Sequence, residues 1–310
     1  MKPEFIPPPP SQRPPEDEVH SFVVADDGTR LFTRTMNGEH EAGSVRAFLC
    51  DGIACDGFIW KYLWKDLLQV APITHFNYRG HGRSAAPKDA DRIDIGAHAD
   101  DLTRVRESVG DPPCILVGHS MGTQVALENL RRNPDKVRGL ILVCGSFGKI
   151  TSTFRGVPIL DLVLPKLIDT VLKAPEVARA LWSRIPVDTA IKIALAAGEM
   201  DPSRIHAADI VPYMEHIASL DLTMFLRMLR AAGEHTAWDM LANIKVPVLI
   251  VAGERDTFTP PFLAEAMAKE IPGAEFTMLE KGSHIASFEQ HETTNARILK
   301  FVRERILTKP

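Results

Sequence analysis

The chain has 310 residues, of which 45% are apolar and 25% are charged, and its formal net charge is −4. This composition is ordinary for a globular protein and excludes a collagen-like, coiled-coil or largely disordered chain. The slightly acidic balance, without a cluster of Lys and Arg, argues against nucleic acid as a partner. No apolar run is long enough to span a bilayer, and the N-terminus lacks the form of a signal peptide, so we expect a cytoplasmic protein.

The first segment, residues 1–17, contains seven prolines and no apolar periodicity. Such a composition predicts a disordered or polyproline-II lead-in outside the folded core. Two alternating stretches follow, at residues 19–25 and 30–36, and Gly28 lies in the short turn between them. This pattern predicts a β-hairpin whose turn needs a residue with positive φ.

Strands and helices then alternate along the chain. Near-continuous apolar strands are predicted at residues 45–50, 73–78, 114–117, 140–143, 246–251 and 275–278. Apolar residues at helical spacing predict helices at residues 58–70, 95–108, 121–132, 261–269 and 286–306. Apolar strands that alternate with amphipathic helices indicate a mostly parallel, doubly wound α/β sheet covered on both faces. The hairpin supplies its antiparallel edge.

The alternation is interrupted by residues 147–241, which show only helical signals. We interpret this segment as an all-helical cap, inserted into a core formed by residues 18–146 and 242–310, over the sheet edge where ligands bind in α/β folds. One of its helices, residues 159–172, has an expected inner face of Leu160, Val163, Leu164, Leu167 and Val171. Charged residues on its other faces favour contact with water over contact with a membrane.

The strongest local motif is Gly118-His119-Ser120-Met121-Gly122, which follows the strand at 114–117 and opens the helix at 121–132. A G-x-S-x-G nucleophile elbow requires this strand–turn–helix context. A side chain at either glycine would collide with a neighbouring element in so sharp a turn, and Ser120 would adopt a strained conformation. The alternative is an ordinary helix N-cap serine.

A serine nucleophile needs a base, and the base needs an orienting group. Asp256 lies in the loop after the strand at 246–251, where Glu254 is its nearest competitor. His284 lies between the last strand and the last helix. Serine, acid and histidine thus occur in the order that suits this architecture, on loops expected at one edge of the sheet. The pattern predicts a triad of Ser120, His284 and Asp256.

Four segments together resemble the α/β-hydrolase superfamily: Gly118–Gly122, Gly253–Pro260, Gly282–His284 and the Tyr78–Ser84 turn. Within it, the chain resembles capped esterases, monoacylglycerol lipases and non-haem haloperoxidase-like members, over about residues 19–306. The resemblance implies that Ser120 is the nucleophile, His284 the base and Asp256 the orienting acid.

Two backbone donors are expected to form an oxyanion hole. One is the N–H of Met121, directly after the serine, and the resemblance implies that the other is the N–H of Ile53. Relatives usually carry His-Gly where this chain has Asp51-Gly52. An Asp51 carboxylate in the cleft would oppose a developing anion, so we expect it to point away or to be neutralised. Candidate substrate-binding residues are His119, Asp51, Met224 and Phe225.

Other polar residues are interpreted as structural. His75, His81, His98, Asp100 and Asp101 match no metal-ligand spacing and are expected on the solvated surface, so neither a metal nor an organic cofactor is predicted. The cysteines are expected to be free thiols, with three in apolar strands and one in a loop: Cys50, Cys114, Cys144 and Cys55.

These features predict a serine hydrolase that cleaves a carboxylic ester, lactone or thioester with an apolar acyl or alcohol group through an acyl-enzyme. A serine at the elbow excludes the haloalkane dehalogenases and epoxide hydrolases, which use an aspartate there. An acyltransferase, a carbon–carbon bond hydrolase, a perhydrolase and a receptor-like ligand-binding protein on the same scaffold remain alternatives. The sequence does not predict the oligomeric state.

Overall fold

The structure is a computed structural model that describes residues 18–308 except 183, 185, 187, 190, 193–199 and 202. The predicted proline-rich lead-in, residues 1–17, lies outside the described residues. Within the described chain, eight strands form one sheet in the order β1-β2-β4-β3-β5-β6-β7-β8. The strands are β1 Glu18–Val24, β2 Arg30–Met36, β3 Arg46–Cys50, β4 Ile73–Phe76, β5 Cys114–His119, β6 Val137–Val143, β7 Val248–Gly253 and β8 Glu275–Leu279.

The sheet is mostly parallel, as predicted. Strands β3 to β8 pair in parallel, while β1 pairs antiparallel with β2 and β2 pairs antiparallel with β4. Gly28, in the hairpin turn, has a φ of 83°, which confirms the need for a residue that tolerates positive φ. Every residue of β5 is buried. A strand buried on both faces has no reason to alternate apolar and polar residues, which explains its continuous apolar sequence.

Helices cover both faces of the sheet. They are α1 Trp64–Leu67, α2 Ile95–Ser108, α3 Met121–Arg132, α4 Ile150–Thr153, α5 Ile159–Lys173, α6 Pro175–Trp182, α7 Ala207–Ser219, α8 Leu222–Glu234, α9 Pro261–Glu270, α10 Ala286–Glu289 and α11 His291–Phe301. Short 3-10 turns occur at Phe58–Trp60, Phe154–Gly156 and Trp238–Asn243, and a π-helical turn at Val302–Ile306. Neighbouring residues of β5 pack into two different hydrophobic cores, one on each face of the sheet. Leu116 packs with α2 and α3, and Val117 packs with α1 and α11.

Two predicted helices are shorter than expected. Residues 58–70 form only a 3-10 turn and the single-turn α1, and between them the Tyr62 carbonyl accepts a hydrogen bond from the Asn295 side chain at 2.7 Å. The helix expected at 286–306 is broken at Gln290, whose φ and ψ of −125° and 43° are not helical. The Gln290 side chain donates to the Glu280 carbonyl instead. Apolar periodicity alone therefore does not fix where a helix begins or breaks.

The segment between β6 and β7 carries helices α4 to α8. Helix α5 buries Leu164, Ile168 and Val171 against a small separate core, whereas Val163 and Leu167 are exposed. The predicted inner face was therefore partly wrong, because apolar residues surround much of this helix and periodicity alone does not fix its rotation. None of the described helices has the length and apolar character needed to cross a membrane.

The two ends of this helical segment are tied together beside the sheet. Gly148 and Thr236 form an isolated antiparallel bridge, and the Ala237 N–H donates to the Phe147 carbonyl at 2.7 Å. Gly148 has a φ of 145°, and a Cβ there would lie 2.1 Å from the His235 carbonyl oxygen. The close approach of the two connecting chains therefore requires glycine.

The four cysteines are buried and unbridged, as predicted: Cys50, Cys55, Cys114 and Cys144. Burial raises the pKa of the Cys114 thiol to about 11, which keeps it protonated near neutral pH.

Candidate active site

Ser120 lies in a sharp turn between β5 and α3. Its φ and ψ of 53° and −120° belong to a sparsely populated region for a residue with a side chain. The flanking glycines make this turn possible. A Cβ at Gly118 would lie 2.3 Å from the Gly122 carbonyl oxygen, and a Cβ at Gly122 would lie 2.0 Å from the Cys50 carbonyl oxygen. The geometry is that of a nucleophile elbow, with the steric demands expected from the sequence.

A continuous chain of hydrogen bonds joins the three predicted side chains. Ser120 Oγ lies 2.9 Å from His284 Nε2, and His284 Nδ1 lies 2.9 Å from both carboxylate oxygens of Asp256. Ionised Asp256 can only accept, so Nδ1 carries the proton and Nε2 is left to accept from the serine hydroxyl. This tautomer lets the imidazole take the proton of Ser120.

The sheet brings these residues together although up to 164 positions separate them in the sequence. Ser120, Asp256 and His284 follow the carboxyl ends of β5, β7 and β8. The acid and histidine loops are packed against each other, since the Arg255 N–H donates to the Gly282 carbonyl at 2.8 Å. Parallel strands end at the same edge, so three separate loops can supply one site.

Asp256 is buried and its carboxylate is fully engaged. Oδ1 accepts from the backbone N–H groups of Phe258 and Thr259 at 2.9 and 2.8 Å, and Oδ2 accepts from the Thr259 hydroxyl at 2.8 Å. Sequence reasoning missed Thr259, although an aspartate in a turn commonly accepts from the backbone N–H two residues on, here that of Phe258. Glu254, the competing acid, is exposed and accepts from the Lys281 N–H.

The two segments that carry the predicted oxyanion donors lie next to the serine. Met121 is the first residue of α3, so its N–H has no acceptor within the helix. Gly52 lies against the elbow, because a Cβ there would stand 3.1 Å from the Ser120 Cβ. Ile53 is the next residue along the chain. The N-terminus of a helix also favours negative charge, so this region is suited to an oxyanion.

Asp51 does not face the cleft. Its carboxylate is completely buried, accepts from the Trp60 indole N–H at 2.7 Å and lies 2.8 Å from His75 Nε2. Both oxygens are therefore occupied, which corrects the substrate-binding assignment of Asp51 and agrees with the expectation that it points away.

His119 is also a supporting residue rather than a substrate-binding one. Only 2% of it is exposed, and its Nε2 lies 3.1 Å from the His284 backbone carbonyl, to which the ring donates. Burial, with the neighbouring His284, lowers the pKa of His119 to about 3. A neutral ring is thus maintained directly beside the proposed base, and the substrate-binding assignment of His119 is corrected.

The two predicted substrate-binding residues of α8 have different surroundings. Met224 lies against Gly80, since a Cβ on that glycine would stand 2.0 Å from the methionine sulphur. Phe225 packs with the small core of α5, and its ring centroid lies 6.3 Å from that of Trp182. Substrate binding by Met224 and Phe225 stays a prediction.

Phe258 is an aromatic residue of the site that the sequence did not identify. Its ring centroid lies 5.0 Å from that of His284, and 41% of the residue is exposed. The Phe154 ring packs against it at 5.2 Å. By contrast, a surface groove of about 600 Å³ is lined by Phe147, Trp238 and Phe262 and includes none of the three hydrogen-bonded residues.

The histidines expected on the surface are buried, so that prediction was wrong. His75 lies on the interior strand β4, His81 in the turn after it, and His98 on the inner face of α2. Asp101 is buried too, in a bidentate ion pair with Arg79. Among the described residues, no group of His, Cys, Asp and Glu could hold a metal ion.

The sheet order, the elbow and the hydrogen-bonded Ser–His–Asp chain define an α/β hydrolase. The family model of the alpha/beta hydrolase family matches residues 50–297. The chain belongs to this family.

Among curated proteins, it is similar to a putative carbamate hydrolase RutD of Caulobacter segnis, with 24% identity over 86% of this chain and 94% of that protein. It is 28% identical to a pimeloyl-[acyl-carrier protein] methyl ester esterase of Neisseria meningitidis, over 86% of this chain and 78% of that protein. An esterase structure from Exiguobacterium antarcticum covers 92% of this chain and is itself covered completely, with a TM-score of 0.74 and 20% identity. The relatives support a hydrolase of ester type, and the structural likeness shows the fold.

Proposed function

We propose that the protein is a serine hydrolase that cleaves a carboxylic ester, lactone or thioester through an acyl-enzyme. The observation that carries the proposal is the hydrogen-bonded chain from Asp256 through His284 to Ser120, with 2.9 Å at each link. A serine hydroxyl near neutral pH needs a base within such a distance, and the base needs a partner that fixes its tautomer.

The mechanism follows from the donors and acceptors. Ser120 Oγ attacks the carbonyl carbon while His284 Nε2 takes its proton, and Asp256 stabilises the resulting imidazolium. The backbone N–H groups of Met121 and Ile53 hold the oxyanion. His284 then gives the proton to the leaving alcohol, thiol or lactone oxygen. Water repeats the cycle on the acyl-enzyme and releases the acid.

We further propose that the substrate has an apolar alcohol or acyl group and that residues 147–241 cap the site. The exposed Phe258 ring beside His284 supports an apolar wall near the leaving group, because His284 delivers the leaving group's proton. Among the relatives, the Neisseria protein is described as acting on a methyl ester. The cytoplasmic location expected from the sequence stays a prediction.

The test is hydrolysis of p-nitrophenyl acyl esters by the wild type, Ser120→Ala and the control Ser108→Ala, an exposed serine at the end of α2. Ser120→Ala should lower kcat by on the order of 10³–10⁶ while the protein stays folded, and Ser108→Ala should not. Unchanged turnover in Ser120→Ala would end the assignment. A preference for charged peptides or sugars would exclude the proposed substrate class, and product analysis with added alcohol distinguishes hydrolysis from acyl transfer.

A further inference from the structure

The loop that carries Ile53 has an unusual backbone conformation. Ala54, the residue after the proposed oxyanion donor, has a φ of 62°, which residues with a side chain rarely adopt. Ala54 is also buried. A loop with such a strained residue keeps its shape only where surrounding contacts determine it. The contacts of residues 51–54 therefore decide where the Ile53 N–H points.

His81 makes one of these contacts, on the peptide next to the proposed donor. The Ala54 N–H donates to His81 Nε2 at 3.1 Å, and His81 Nδ1 lies 3.1 Å from the Arg79 carbonyl. A ring nitrogen that accepts from an N–H is unprotonated, so the proton is on Nδ1 and is donated to Arg79. Both ring nitrogens thus have a defined role in a fully buried side chain.

The turn that presents His81 is itself fixed. The Arg79 guanidinium donates to both Asp101 oxygens at 2.8 and 2.6 Å and to Asp27 at 2.9 Å. Tyr78 makes a second contact with the same loop, because its hydroxyl donates to the Asp51 carbonyl at 3.0 Å. The turn therefore forms hydrogen bonds to the loop at Asp51 and at Ala54, on either side of Ile53.

We propose that His81 is a positioning residue for the oxyanion hole: its Nε2 fixes the Ala54 N–H and thereby aims the Ile53 N–H at the developing oxyanion. The inference rests on the proposed function. His81 touches neither substrate nor the reacting atoms. Removing its acceptor leaves the Ile53 donor in place and misdirects it, so the loss should be smaller than that for deleting a donor.

The test compares His81→Phe, which keeps a ring and removes the acceptor, with His81→Gln, whose amide oxygen can reach the Nε2 position. His98→Phe is the matched control. His98 is equally buried and packs on Tyr78 at a ring distance of 4.6 Å, but it makes no hydrogen bond to the loop. We measure kcat and KM with a p-nitrophenyl ester, and inhibition by an aryl boronic acid, which forms a tetrahedral adduct with a reactive serine.

His81→Phe should lower kcat about 10- to 100-fold with KM changed less than about 3-fold, because a misaimed donor weakens transition-state binding most. The boronic acid should bind more weakly by a similar factor. His81→Gln should recover most of the loss, and His98→Phe should resemble the wild type.

Equal losses in His81→Phe and His98→Phe would indicate packing alone and overturn the inference, as would wild-type kcat in His81→Phe. If His81→Phe does not fold, His81→Asn replaces it. Asn is too short to reach Ala54, so Gln and Asn variants of equal activity would overturn the inference too. A wild type inert to esters and to fluorophosphonates contradicts the proposed function itself, whereas an active wild type with an unaffected His81→Phe contradicts only the role of His81.

Discussion

Replacing Asp256 with Asn perturbs the proposed triad with little change of shape. Oδ1 of Asp256 accepts from two backbone N–H groups, those of Phe258 and Thr259. In the variant, the amide oxygen should keep this position because only an oxygen can accept both. The amide nitrogen then takes the place of Oδ2, 2.9 Å from His284 Nδ1.

An N–H group at that place donates to Nδ1 and selects the other imidazole tautomer. Nε2 then carries the proton and faces the Ser120 hydroxyl at 2.9 Å, where it cannot act as a base. The inverted tautomer should lower kcat by about 10³–10⁴, the scale found for this exchange in serine proteases. This corresponds to about 4–5.5 kcal/mol of transition-state stabilisation.

The assay is kcat for a p-nitrophenyl ester in Asp256→Asn and in Thr259→Val. Valine removes the hydroxyl that donates to Asp256 Oδ2 but leaves the carboxylate and the tautomer intact. We expect a loss of no more than about 100-fold in Thr259→Val, since one hydrogen bond to a charged group contributes about 1.5–3 kcal/mol and other donors remain. An Asp256→Asn enzyme within 10-fold of the wild type would refute the reasoning.

Three further predictions concern packing, pH and substrate preference. Gly122→Ala should lower the free energy of unfolding by about 3 kcal/mol, because the new Cβ would lie 2.0 Å from a backbone carbonyl oxygen. Urea unfolding measures this change, and an unchanged free energy of unfolding would contradict the close approach. Burial lowers the pKa of His119 to about 3 and of His81 to about 4. The unfolded chain therefore binds more protons between about pH 6.5 and 4, so stability should fall by about 2 kcal/mol per histidine from pH 7 to pH 5, and a constant unfolding free energy would contradict this. Phe258→Ala should raise KM for esters of aromatic alcohols more than for methyl esters, whereas Phe262→Ala, in the separate groove, should leave both KM values unchanged.

Much of the fold could be predicted because its signals are local and repeated. The hairpin strand Arg30–Met36 and the helices Ile95–Ser108 and Met121–Arg132 have the predicted bounds. Their apolar periodicity coincides with clear boundaries, such as the Asp94 side chain that accepts from the Ala97 N–H at the start of α2. The mostly parallel sheet followed from apolar strands separated by helices.

The parts that could not be predicted depend on contacts between distant residues. The burial of His75 is decided by Asp51, 24 residues earlier, whose carboxylate gives the ring a partner in the core. Thr259 matters only because it faces Asp256, and Phe258 only because it packs on His284. Residue type suggested a solvated surface for His75 and His81, but a partner in the core can satisfy a polar group as water does.

The proposed site residues lay on the loops that the architecture predicts, and the structure joins Ser120, His284 and Asp256 by hydrogen bonds. The supporting contacts were beyond sequence reasoning, because they depend on the exact path of the loop after β3. Asp51 illustrates this limit. Its place in the sequence suggests contact with substrate, whereas the Trp60 and His75 side chains hold it inside the protein.

The most direct test of the central claim is labelling of the purified protein with a fluorophosphonate probe, followed by peptide mapping, since the probe reacts with an activated serine whatever the natural substrate. The account predicts one labelled residue, Ser120, and strongly reduced labelling in His284→Ala. Labelling at another serine, or none at Ser120 in the folded wild-type protein, would contradict it.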